Sequence, residues 1–244
     1  MKIDPNATSD LSAQIAKAIR DSIVEGRLIV DERLPSEAEL SEQFEVSRAT
    51  VREALKRLAA QSLIRTQRGA FGGAFVNKLS FEEAYGQQIT TSTLLISMNE
   101  VSFETACEAR YTLERACAPL AAERRQPDHL AAMRAEIVRQ GQPGLTDESF
   151  CASDVAFHRA LVDAAGNPVL AFQLAGAVEG MQPLMNMITF TARSRERIIA
   201  LHTQIADAIE SCDPEQADKS LANLAAYTVE LAKDVFEARS KAVS

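Results

Sequence analysis

The run from Leu34 to Leu58, LPSEAELSEQFEVSRATVREALKRL, restricts the fold of this chain more than any other segment. Ser36 and Glu39 have the spacing of a capping box, in which each side chain satisfies a free backbone N–H of the other. That starts a short helix after Pro35. Ser47 is placed to cap a second one over 48–60, with Val51, Ala54, Leu55 and Leu58 on its inner face and Arg48, Ala49, Arg52 and Lys56 on the other. Upstream, Leu11, Ile15, Ile19 and Ile23 recur every four residues, which predicts a helix closed by Gly26. Downstream, Leu63–Gln67 and Ala74–Asn77 flank glycines 69, 72 and 73, the pattern of a hairpin with a glycine-rich tip. Three helices followed by a hairpin is the order of a winged helix-turn-helix.

From Ser80 onward no strand pattern is found. Ser80 and Glu83 repeat the capping-box spacing, and apolar residues recur at helical intervals to the end. Breaks are expected at Met98–Asn99, Arg125–Pro127, Gln140–Gly144, Gly166–Pro168, Thr191–Ser194 and Cys212–Pro214, which makes six or seven helices in a compact bundle. The expected fold is therefore mainly α: a winged helix-turn-helix domain over 1–78 and an all-helical domain over 79–244. The absence of Trp and an aromatic content of 5% favour aliphatic helix packing over a sandwich or barrel. No apolar run approaches a membrane span and the N-terminus does not read as a signal peptide. Cys107, Cys117, Cys151 and Cys212 lack Cys-x-x-Cys spacing and read as reduced, mostly buried thiols. Both observations lead to the expectation of a cytoplasmic protein with no membrane partner.

Charge gives the first functional indication. Residues 1–80 carry 12 Lys and Arg against 11 Asp and Glu; the remainder carries 14 against 23. Within 46–78 seven basic residues face a single acid, Glu53. A chain of net charge −8 can still bind a polyanion through such a local patch. Arg48 and Arg52 sit one turn apart near a helix N-terminus, where a helix lying in a major groove presents its base-reading side chains. Ser47, Thr50 and the free N–H groups beside them can take phosphates. Arg68 and Gly69, at the hairpin tip, are placed to approach the backbone or a minor groove.

Together these residues resemble the DNA-binding domain of GntR-superfamily transcription regulators. The resemblance is carried by Leu34-Pro35-Ser36-Glu37, Leu40-Ser41, Val46-Ser47-Arg48 and Thr50-Val51-Arg52-Glu53-Ala54-Leu55, with Leu58. The remainder resembles the FadR-type effector domain, FCD, through CEARYTLERACAPLAAER, SDVAFHRALVDAAGNPVL and LHTQIADAIESCDPEQA. The resemblance implies a homodimer on a palindromic double-stranded DNA operator. Ser36, Ser47, Arg48, Thr50, Arg52, Arg68 and Gly69 are then the DNA-binding set. Ala38 stands where many members have an arginine, so that contact is missing here.

In the helical domain, Asp154 and His158 are four apart on one helical face, and His202 lies on a later helix. A carboxylate with two imidazoles suits Zn²⁺, Ni²⁺ or Mn²⁺. By spacing alone such a pair is more often an ordinary helix contact than a metal site. The resemblance makes Asp154, His158 and His202 three of four metal ligands, with Leu224 in the fourth position. The site is then either three-coordinate, completed by water or an effector oxygen, or metal-free. Arg110 is read in two ways: as an ion-pair partner of Glu114, or, by the resemblance, as the clamp for a small carboxylate effector. His129 reads as a surface residue at a helix start. Met181, Met185 and Met187 read as core or as an adaptable pocket wall. The expected function is a ligand-responsive DNA-binding regulator, a repressor rather than an enzyme, sensing an organic acid. The alternatives are a metal-dependent helical enzyme fused to a DNA-binding domain and a metal-ion sensor.

Overall fold

The computed structural model describes residues 10–69, 72–98, 100–189 and 194–243. The chain divides into two compact units, over 1–84 and 85–244.

The first unit opens with α1 (Leu11–Val24), capped by Asp10, whose carboxylate accepts from the Ser12 N–H. α2 (Glu37–Phe44) carries the capping box in full. The Ser36 N–H donates to Glu39 Oε2 at 2.7 Å and the Glu39 N–H to Ser36 Oγ at 3.3 Å. Glu45, in the left-handed region at φ 55°, turns the chain sharply into α3 (Arg48–Ala60). Ser47 caps α3 by accepting from the Thr50 N–H at 3.1 Å. β1 (Ile64–Gln67) and β2 (Gly73–Val76) then pair antiparallel, Ile64 opposite Val76 and Gln67 opposite Gly73. The segment before α2 lies along the free edge of β2: Leu34 N–H donates to Ala74 and Val76 N–H to Glu32. Ile15, Ile19, Leu40, Phe44, Val51, Ala54, Leu58, Ile64 and Val76 close one core. Leu55, expected on the inner face of α3, is only partly buried.

The second unit is built from α4 (Phe81–Ser97), α5 (Phe103–Arg124), α6 (Pro127–Gln140), α7 (Asp147–Ala164), α8 (Pro168–Val178), α9 (Gln182–Thr189), α10 (Arg195–Glu210) and α11 (Pro214–Val243). α5 is central and packs on α7, α8, α10 and α11, while α6 closes on α7 and α10. Ala118, Ala121, Ala122, Ala206 and Ala217 bring the helices close, and Phe150, Phe157, Leu161, Leu174, Leu201 and Leu221 fill between them. Three buried thiols, Cys107, Cys117 and Cys151, behave as small hydrophobes, whereas Cys212 is exposed. Among the described residues no helix is long and apolar enough to cross a membrane.

The helix count corrects one expectation. Eight helices stand among the described residues of this unit and its entry, where six or seven were expected. The unforeseen break separates α8 from α9 around Gly180. A Cβ there would come within 2.2 Å of the Gly176 carbonyl oxygen and 3.0 Å of Ser92 Cβ. The approach of Ser92 from α4 depends on how helices meet, which apolar periodicity does not encode. The remaining expected breaks coincide with helix ends, except that residues 99 and 191–193 lie outside the described residues.

Candidate functional site

In the first unit, Ser36, Ser47, Arg48, Arg52, Arg68 and Gly69 are exposed and Thr50 is half-buried. Both serine hydroxyls already serve as helix caps, and Ser47 Oγ lies 2.8 Å from Thr50 Oγ1. Arg48, Arg52 and Lys56 line the outer face of α3. Arg52 is not idle: its Nε and Nη2 donate to the two oxygens of Glu37 at 3.2 and 2.8 Å. The Arg52 guanidinium in turn holds the Glu37 carboxyl below its ordinary range. Glu37 was not singled out as a site residue in the sequence; only its position opposite α3 gives it this partner. The pair borders a cleft of about 350 Å³ between α2, α3 and the hairpin, edged by Arg33, Lys56 and Gly73.

In the second unit, Asp154 and His158 on α7 and His202 on α10 are brought together. One ligand atom from each lies within 4.8 Å of the others, and all three side chains are buried. His202 Nε2 lies 3.4 Å from Asp154 Oδ1. Its Nδ1 lies 2.9 Å from Oε1 of buried Gln140, the last residue of α6. An Nδ1–H donating to that oxygen leaves Nε2 turned toward Asp154, the arrangement that outer-sphere partners impose on ligating histidines. Phe157 stacks on His202, ring centres 4.0 Å apart and planes 12° from parallel, and meets His158 edge-on.

His158 is the less settled ring. Its Nδ1 lies 2.6 Å from Oε1 of Glu114 on α5, ion-pair close yet without the alignment of a formed hydrogen bond. Its Nε2 is buried with no hydrogen-bond partner. Glu114 is itself fully buried, and its Oε2 accepts from Arg110 Nε at 3.1 Å. Burial would raise the Glu114 carboxyl, but the His158 ring and the Arg110 guanidinium beside it outweigh that and hold it low. Arg110 is 1% exposed, and its Nη1 and Nη2 have no partner. The ion pair is therefore present, and two guanidinium nitrogens remain available beyond it.

These residues fit a divalent metal. The donor set is one carboxylate and two imidazoles, and a buried imidazole nitrogen lacks any partner. Leu224 is fully buried in the core and offers no donor. His129 stands apart at the start of α6, where its Nδ1 accepts from the Gln126 N–H. Met181 and Met185 are core residues; the side chain of Met187 lies outside the described residues.

Residues 11–76 match the family described as bacterial regulatory proteins, gntR family, and residues 105–226 match the FCD domain. Among similar proteins, the HTH-type transcriptional regulator RmpR of Mycobacterium gastri is 33% identical over 208 residues, 84% of this chain and 74% of that protein. The galactonate operon transcriptional repressor of Escherichia coli (strain K12) is 26% identical over 230 residues, 93% of this chain and 99% of that one. A third, from the same organism and named for the L-lactate dehydrogenase operon, is 28% identical over 226 residues, 86% and 82% of the two chains. These are transcription regulators, not enzymes, and the reading of an enzyme fused to a DNA-binding domain falls with that. The chain belongs to the GntR family of bacterial transcription regulators and carries an FCD domain.

Proposed function

We propose that this regulator is a ligand-responsive repressor. It binds a palindromic operator as a homodimer and senses a small carboxylate in its helical unit, with a divalent metal held by Asp154, His158 and His202. Arg48 and Arg52 read base edges from α3, Ser36, Ser47 and Thr50 take phosphates, and Arg68 and Gly69 approach the duplex from the hairpin. The observation that carries the sensing half is one buried polar chain: three metal-type ligands, linked through Glu114 to an arginine with two open nitrogens.

An arginine fork is suited to a carboxylate, and a metal with open positions accepts a carboxylate and a neighbouring hydroxyl together. Two relatives named for galactonate and L-lactate operons point to 2-hydroxy acids, which carry those two groups side by side. Bound metal would supply Lewis-acid attraction for the ligand's oxygens. The chain's own residues orient the donors, exclude water and supply the counter-charge. To act as a signal, the ligand must bind one arrangement of the dimer more tightly than the other.

The test measures operator binding by fluorescence anisotropy at fixed salt, with Zn²⁺, Ni²⁺ or Mn²⁺ and with D-galactonate or L-lactate as probes. Zinc binding by calorimetry and a probe-dependent shift in operator affinity are expected, with Arg110→Lys losing the shift. A response to metal alone would make the protein a metal sensor. No metal binding and no response to any probe would overturn the reading.

A further inference from the structure

The metal reading assigns roles to Asp154, His158 and His202 but leaves one of the most deeply buried charges in the bundle, Glu114, without a function beyond neutralising Arg110. From the geometry we infer that Glu114 is a positioning residue: held by Arg110, it fixes the proton of His158 on Nδ1 and turns Nε2 toward Asp154 and His202. This rests on the proposed metal site for its purpose but not for its mechanism.

The argument is one of lone pairs. Glu114 has no solvent to lean on, and Arg110 Nε holds its Oε2 at 3.1 Å, so the carboxylate is ionised and anchored. Its other oxygen lies 2.6 Å from His158 Nδ1. If Nδ1 carried no proton, two lone pairs would face each other at that distance in a buried site. A proton on Nδ1 removes that repulsion, and a small turn of the ring into line makes the 2.6 Å approach a charge-assisted hydrogen bond. A neutral imidazole with its proton on Nδ1 has a bare Nε2. Neither ring nitrogen makes an aligned hydrogen bond, but Nδ1 has the Glu114 carboxylate against it and Nε2 has no such neighbour. Gln140 makes the matching arrangement at His202 through an amide oxygen. One ligand is thus set by a charged partner and the other by a neutral one. Glu114 itself is not among the side chains whose donor atoms gather within 4.8 Å, so it orients a ligand instead of adding one.

Glu114→Gln separates this from a merely structural role. The glutamine amide has one oxygen. Arg110, a buried cation, takes it, and the NH₂ group then faces His158 Nδ1. An NH₂ donates, so Nδ1 must accept and the proton moves to Nε2. The chain has only three histidines, so long-range ¹H–¹⁵N spectra of the metal-free protein contain three imidazoles. His158 is assigned by the set lost in His158→Asn. In the native protein His158 is expected as the Nδ1–H tautomer. In Glu114→Gln it should switch to Nε2–H while His202, held by Gln140, does not change. Zinc affinity measured by calorimetry should fall roughly 10–100-fold, the usual effect of removing such a partner. Glu114→Asp, which keeps the charge for Arg110 but withdraws from the ring, should lose affinity in the same direction and serves if the glutamine variant fails to fold. An Nε2–H tautomer for His158 in the native protein would overturn the inference. So would a folded variant with unchanged tautomer and unchanged zinc affinity. If the native protein binds no zinc, the metal reading fails, and the tautomer measurement still decides the role of Glu114.

Discussion

Replacing Arg110 with methionine gives the sharpest energetic test of the buried chain. The native pair is 1% and 0% exposed, so neither charge is solvated. Removing one partner strands the other, at a cost of about 3–5 kcal/mol. At about 2–4 °C per kcal/mol for a domain of this size, the helical unit should melt roughly 6–20 °C lower. Glu114→Met should cost a comparable amount, since it strands the guanidinium. The double variant Arg110→Met/Glu114→Met removes both charges and replaces them with apolar volume. It should therefore be more stable than either single variant. Recovery should fall short of complete by about 1–3 kcal/mol, because His158 Nδ1 loses its acceptor. The assay is urea unfolding followed by tyrosine fluorescence. Tyr85, Tyr111 and Tyr227 all lie in the second unit, and the chain has no Trp to mask them. An Arg110→Met protein within about 1 kcal/mol of native would refute the reasoning, as would a double variant whose loss equals the sum of the singles.

Further outcomes follow from other sites. Arg48→Ala and Arg52→Ala should each weaken operator binding by about 1–3 kcal/mol and relax base preference, read by competition among operator variants. Gly180→Ala should destabilise the helical unit by about 1–3 kcal/mol, because its Cβ meets a carbonyl oxygen at 2.2 Å; the same tyrosine signal reports it. Leu224→His adds an imidazole to α11 and should tighten zinc binding in calorimetry. On acidification, Glu114 should make the bundle less stable. Its folded carboxyl is held below the ordinary 4.5, so its contribution is full above that value and is lost as pH falls through the folded one. Urea midpoints between pH 7 and pH 3 measure this.

The first unit was legible because its punctuation is local. Ser36 with Glu39, and Ser47 with Thr50, cap helices through neighbours three residues away, and α3 spans the expected 48–60. The i, i+4 spacing of Asp154 and His158 was equally local. What escaped depends on helices meeting. Glu114 reads in sequence as the partner of Arg110 and shows nothing of His158, which reaches it only because α5 packs on α7. Gln140 meets His202 across 62 residues and carries no motif. The apolar run through α8 and α9 continues past Gly180, where an added Cβ would meet the Gly176 carbonyl oxygen and Ser92.

The grip of Glu37 on Arg52 bears on how such a protein searches a genome. A carboxylate and the major-groove edge of guanine offer an arginine fork the same pair of acceptors. While Arg52 stays with Glu37, its charge is cancelled locally and adds little to the salt-sensitive attraction that fastens proteins to random duplex. Of the groups a duplex offers, a correctly placed base replaces both hydrogen bonds better than a lone phosphate oxygen does. If Arg52 reads the operator as proposed, the fork would stay closed on the wrong sequence and be exchanged at the right one, guanine for glutamate.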